Sequence, residues 1–256
     1  MTIQKLTPEI SQKMLKEICK MHPDFKRFFL DHDEKIRKIN IIWKIDPDSK
    51  VEGISSPITY EITLKRYPES REDARVVAHE IIHILIWTEG YPYVMAEPYA
   101  ASCDHKLDSC AREIQAIIFE PMVEARLKMY FTEICADNQK KSLSAAAKIL
   151  NRKEEIFKEI CDPRALLYYS CLYVKRRRLI EATCCDVEAA NRYIKIYEEN
   201  FQDTIVDCAE QIMSLIHRYD QSPESIKEIF NTILKHPQFC FSFQYQQEFN
   251  RFLLEK

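Results

Sequence analysis

From Ala74 to Trp87 the chain is almost unbroken in its apolar character, and inside that run stand His79, Glu80 and His83. Ser70-Arg71-Glu72-Asp73 reads as the start of a helix, with Ser70 as the N-cap and two acids in the first turn, where the helix dipole favours them. Thr88-Glu89-Gly90-Tyr91-Pro92 ends it. A helix that is apolar nearly all round must be covered on every side, so this segment is predicted to lie in a core. Two imidazoles and a carboxylate survive there only if they find charge or hydrogen-bond partners within the protein. Any fold this chain adopts has to meet that demand.

The spacing suggests how. Residues four apart on an α-helix share a face, with roughly 5–6 Å between their Cβ atoms. His79 and His83 can therefore share one Zn²⁺ at nitrogen distances of about 2.0–2.1 Å. Glu80 projects to the flank, placed to take a proton from a water that the metal activates. Hydrogen-bonded core histidines are the plainer alternative. A shared metal would satisfy all three side chains at once.

His79-Glu80-Ile81-Ile82-His83 resembles the HExxH motif of the zinc metallopeptidases, the zincins. The resemblance spans residues 35–130, and only the pentapeptide is specific. It is not the metzincin pattern, which would place glycine and a third histidine where Ile86 and Glu89 stand. Nor is it the inverted HxxEH. Many relatives carry a glycine where this chain has Ile82. What the resemblance implies is a gluzincin-like metal-binding site, in which a carboxylate on a later helix is the third ligand.

The next helix is expected over Leu107–Tyr130, with Leu107, Ala111, Ile114 and Ile118 facing the core. Glu113, Glu120 and Glu124 fall on a neighbouring face. Glu120 is the first choice for the third ligand. It precedes Pro121, which should kink or restart the helix. It also stands four before Glu124, similar to the gluzincin ExxxD arrangement, where the second acid orients a ligand histidine from outside the coordination sphere. Glu113 is a rival. So is Asp108, because Asp108, Ala111 and Pro121 are spaced like the E-x-x-A…P helix of the ImmA/IrrE-type metallopeptidases. Each of these acids could also be an ordinary solvated side chain.

Before the motif, Lys38–Ile45 alternates as a half-buried strand, and Ile58–Tyr67 alternates again through Tyr60, Ile62 and Leu64. Val51–Pro57 reads as the turn-rich connection. By analogy with the zincin layout, Ile58–Tyr67 is the edge strand that would hold an extended peptide, although a strand serving only to cover the core fits equally. Tyr91, Tyr93 and Tyr99, after the motif helix, are candidates to stabilise an oxyanion.

The second half, 136–256, carries helical patterns and no strand signature: Lys141–Leu150, Arg164–Thr183, Val187–His217, a helix opened by Ser222-Pro223 through Lys235, and the aromatic-rich Pro237–Lys256. With only two glycines in 256 residues, tight turns must be few. The expected fold class is therefore α+β, predominantly α: a zincin-like module with a small β-sheet over residues 1–135, and a helical region over 136–256 packed on it.

A net charge of −3 gives no electrostatic case for nucleic acid or anionic lipid. Lys175-Arg176-Arg177-Arg178 is the one basic run and is expected to be a solvated helix face without interleaved aromatics. His105, His217 and His236 stand outside any ligand spacing. The ten cysteines form no CxxC pair, and without an apolar signal core at the N-terminus they read as buried free thiols of a cytoplasmic protein. No apolar run is long enough to span a bilayer.

The expectation is a hydrolase, specifically a metalloprotease: His79, His83 and Glu120 bind Zn²⁺, Glu80 is the general base, and the substrate is a peptide or protein, with no nucleic-acid or membrane partner. The competing expectation is a helical regulatory or interaction protein that retains the metal module without catalysis. A non-peptidase amidohydrolase is a third possibility. The oligomeric state is not legible in the sequence.

Overall fold

A computed structural model describes residues 3–56, 59–94, 105–135, 137, 140–141, 144, 163–183, 187–200 and 203–235. In chain order the elements are β1 (Gln4–Lys5), α1 (Pro8–Met21), α2 (Pro23–Lys38), β2 (Ile42–Ile45), β3 (Gly53–Ser56), β4 (Glu61–Leu64) and α3 (Arg71–Thr88). They continue with α4 (His105–Lys128), α5 (Pro163–Thr183), α6 (Val187–Asn200), α7 (Asp203–Arg218) and α8 (Pro223–Lys235). The class is α+β, predominantly α. No helix among the described residues is long and apolar enough to cross a membrane.

The chain forms two compact units, residues 1–89 with 123–135, and residues 90–122 with 136–256. This differs from a simple division at 135, because 90–122 belongs with the later helices. Its ties explain why. Tyr91 Oη donates to the Gln221 carbonyl at 2.8 Å, Phe119 meets Phe230 edge-on, and Arg178 donates to the Ile117 carbonyl. Helix α4 starts in the second unit and ends in the first. At its far end Arg27 donates to the Met129 carbonyl, and Tyr130 packs edge-on against Phe28 while donating to Asp31.

In the first unit the strands form a mixed sheet in the order β1-β2-β4-β3. β2 runs parallel to β4, with Trp43 opposite Ile62, and β3 runs antiparallel to β4, with Ser55 opposite Ile62. Ile62 and Leu64 point into the core, as the period of two requires. The segment read as a turn-rich connection, Val51–Pro57, contains strand β3. The segment proposed as a peptide-holding edge, Ile58–Tyr67, contains β4, which is paired on both sides and offers no free ladder. Among the described residues, the sheet edge next to α3 is β3. Strand β2 is also shorter than expected, because Lys38 still belongs to α2.

Helix α3 begins as the sequence implied. Ser70 and Asp73 form a capping box, with Asp73 N donating to Ser70 Oγ at 3.0 Å and Ser70 N donating to Asp73 Oδ2 at 2.9 Å. Gly90, at φ +91°, turns the chain out of the helix in a conformation that side-chain-bearing residues rarely adopt. Burial disfavours the Asp73 charge, but donors from Arg66, Ser70 and Glu69 outweigh it and hold the carboxyl down at about 2. A folded-state pKa below the unfolded one means stability that is present above pH ~4 and is lost as pH falls toward 2. Acid unfolding of Asp73→Asn should accordingly lack about 2 kcal/mol of the wild-type pH dependence between pH 4 and 2. Identical acid limbs for the two proteins would remove Asp73 from that role.

In the second unit, Val187–His217 is two helices, α6 and α7, where one was expected. The basic run is no solvated face. Lys175 pairs with Glu113 at 2.5 Å, Arg177 pairs with Glu210, and Arg178 is buried. Cys110, Cys135, Cys171 and Cys208 are buried free thiols, and burial pushes Cys135 to about 11 and Cys208 to about 12. The aromatic-rich segment 237–256 and most of 141–150 lie outside the described residues.

Candidate metal centre

Helix α3 supplies three of the site's side chains on adjacent faces. His83 and Glu80 are buried, at 9 and 6% exposure. The ring planes of His79 and His83 meet edge-on, with centroids 4.8 Å apart, and their Nε2 atoms lie 3.2 Å apart. Two nitrogens on one tetrahedral zinc, each at about 2.0–2.1 Å, stand about 3.3 Å from one another. The two imidazoles thus hold the separation that shared coordination requires. A carboxylate oxygen of Glu120, from α4, joins them: the three ligand atoms all lie within 4.8 Å of one another. The donor set of two imidazoles and one carboxylate suits a zinc site with an open position.

Both rings are oriented by neighbours. Glu124, one turn beyond Glu120 on α4, faces His79 Nδ1 at 3.3 Å. A carboxylate on Nδ1 takes that nitrogen's proton outward and leaves the Nε2 lone pair facing the site. Glu124 is itself held by Arg75 of α3, whose guanidinium donates to the same Oε1. Burial works against the Glu124 charge, yet the His79 bond and the Arg75 charge prevail, and its pKa is lowered. Trp87, one helical turn past His83, stacks on that ring at 5.6 Å and 25°.

Glu80 turns the other way, toward the sheet. Ser55 Oγ on β3 donates to Glu80 Oε2 at 2.7 Å. Beside it, a Cβ at position 53 would lie 3.0 Å from Glu80 Cγ and 3.1 Å from Oε1. A Cβ at Gly53 would also lie 2.7 Å from Val76 Cγ1, so any side chain there would force Val76 and Glu80 to shift.

The rival acids fall elsewhere. Glu113 is engaged by Lys175 of α5 and takes no part in the group. Asp108 lies in the first turns of α4, and its side chain is outside the described residues. Helix α4 runs unbroken through Pro121, so the proline does not restart it. Of the tyrosines, Tyr91 spends its hydroxyl on the Gln221 carbonyl, Tyr93 is buried, and Tyr99 is outside the described residues. Nothing in the sequence marks Arg75 or Ser55 as part of the site, and Gly53 reads there as a turn residue.

Comparison with protein-family models, with curated proteins and with solved structures finds no match. The site's own chemistry therefore carries the functional argument.

Proposed function

We propose that the chain is a zinc-dependent hydrolase of the zincin kind, acting as a peptidase, with His79, His83 and Glu120 as protein ligands. The observation that supports this reading is the approach of those three ligand atoms to within 4.8 Å, with Glu80 buried on the helix that carries both histidines. The three ligand residues would hold a zinc, which would supply the Lewis acidity to polarise a carbonyl and to ease the loss of a water's proton near neutral pH.

Glu80 accepts that proton and afterwards returns it to the leaving amine. The pair Arg75 and Glu124 fixes the His79 ring, and Trp87 fixes His83. Strand β3, the sheet edge among the described residues, runs beside Glu80, and an extended peptide added there would gain main-chain hydrogen bonds. The free buried thiols suit a cytoplasmic location. A peptide or protein is the partner this reading requires; nucleic acid and membrane are not.

The first test is zinc content together with hydrolysis of a quenched fluorescent casein. One zinc per chain and chelator-sensitive cleavage are expected. Stoichiometric zinc without cleavage of casein would favour the regulatory alternative. The ligand assignment is tested separately by chelator competition. Glu120→Gln should weaken zinc by more than the roughly 10–100-fold that loss of an outer partner costs. Glu113→Gln should leave zinc affinity unchanged, because Lys175 already claims that carboxylate. The reverse ranking would move the third ligand to Glu113.

A further inference from the structure

Two carboxylates of α4 approach the histidines and a third, Glu80, follows His79 in the chain, yet among the described residues only Glu120 belongs to the ligand group. The other two are held by dedicated partners. Glu124 is clamped by Arg75 and faces the back of His79. Glu80 follows His79 directly in the chain, is buried, and carries a hard oxygen donor that zinc accepts at about 2.0–2.2 Å. Its carboxylate is engaged instead by β3, 25 residues earlier in the chain. Ser55 Oγ holds Oε2 at 2.7 Å, the usual length of a hydroxyl–oxygen hydrogen bond. Gly53 leaves the space in which Cγ and Oε1 rest. A Cβ there would also lie 2.7 Å from Val76 Cγ1, closer than real Cβ atoms approach. Gly53 is not in the left-handed region, so close approach is the reason for glycine at this point.

We propose that Gly53 and Ser55 are positioning residues that hold the Glu80 carboxylate off the metal and so keep one coordination position open. The inference rests on the metal site proposed above and adds to it a device built from the sheet. Without the Ser55 hydroxyl, the buried Oε2 loses that donor, and a metal held by the histidines of the same helix would compensate it. Glu80 then becomes a ligand, and the open position closes.

Cobalt(II) in the full-length protein reports this without reference to catalysis, through its visible absorption band and the binding of added azide at the open position. Ser55→Ala should alter the band and weaken azide roughly tenfold, the scale of one hydrogen bond to a charged group. Ser55→Thr, which keeps the hydroxyl, should behave as wild type. In Ser55→Ala/Glu80→Gln the wild-type band and azide affinity should return, because the amide is a poor ligand. A Ser55→Ala protein with the wild-type band and azide affinity overturns the proposal. So does an equal change in Ser55→Ala and the double variant, which would trace the effect to the strand and not to Glu80. Wild-type protein that takes up no cobalt sinks the metal site and this device with it. Cobalt bound with a band insensitive to Ser55 sinks the device alone.

Discussion

Glu80→Gln is expected to bind zinc as tightly as wild type and to hydrolyse the casein probe roughly 10²–10⁴-fold more slowly, the usual contribution of a positioned general base. The substitution suits the test because it changes little else. Glutamine has the same length, and its amide oxygen can still accept the Ser55 hydrogen bond. The side chain is buried beside Gly53, where a larger residue would press on β3 and a smaller one would leave a cavity. Fold and metal site should therefore persist while the capacity to take a proton is lost. Measuring zinc affinity and turnover on the same preparation separates the two. Wild-type turnover in the variant would remove Glu80 from the chemistry and with it the proposed mechanism.

The second large effect is expected at Arg75. Arg75 is only 9% exposed, and its partner Glu124 only 7%. Removing one member of a buried ion pair leaves an uncompensated charge, and such changes cost about 3–5 kcal/mol. Arg75→Met should cost that much in urea unfolding of the zinc-free protein. The double variant Arg75→Met/Glu124→Leu should recover most of the loss, because it removes both charges and keeps apolar volume. Its zinc affinity, however, should stay about 10–100-fold below wild type, since His79 has lost the carboxylate that orients it. Stability and metal binding thus part company in the double variant. An Arg75→Met protein as stable as wild type would show that Glu124 does not depend on the guanidinium.

The features legible in the sequence are those that a single helix decides. Ser70 and Asp73 are three apart, so the capping box follows from local geometry. His79 and His83 are four apart, so their imidazoles meet wherever the helix is placed. Glu120 and Glu124 share a face of α4 for the same reason. The α+β class, with most of the chain helical, followed from the periodicity and from the near absence of glycine. In each case the relevant neighbours lie within one or two turns, and backbone geometry alone sets their distance.

Tertiary structure decided the rest. Which acid of α4 approaches the histidines depends on how far that helix slides along α3, and period 3.6 does not specify a register between helices. Lys175 drew Glu113 away from 62 residues downstream, a pairing no local pattern announces. The strand in Ile58–Tyr67 lies inside the sheet, because alternation marks a half-buried strand but not whether it lies at an edge, and β3 beside the glutamate has the turn-like composition of a connection. Gly53 and Ser55 came to Glu80 only through the packing of β3 on α3. Local spacing fixed the pair of imidazoles because a helix has one geometry. Their carboxylate company was fixed by contacts between elements distant in sequence, whose energies arise only when the chain has closed on itself.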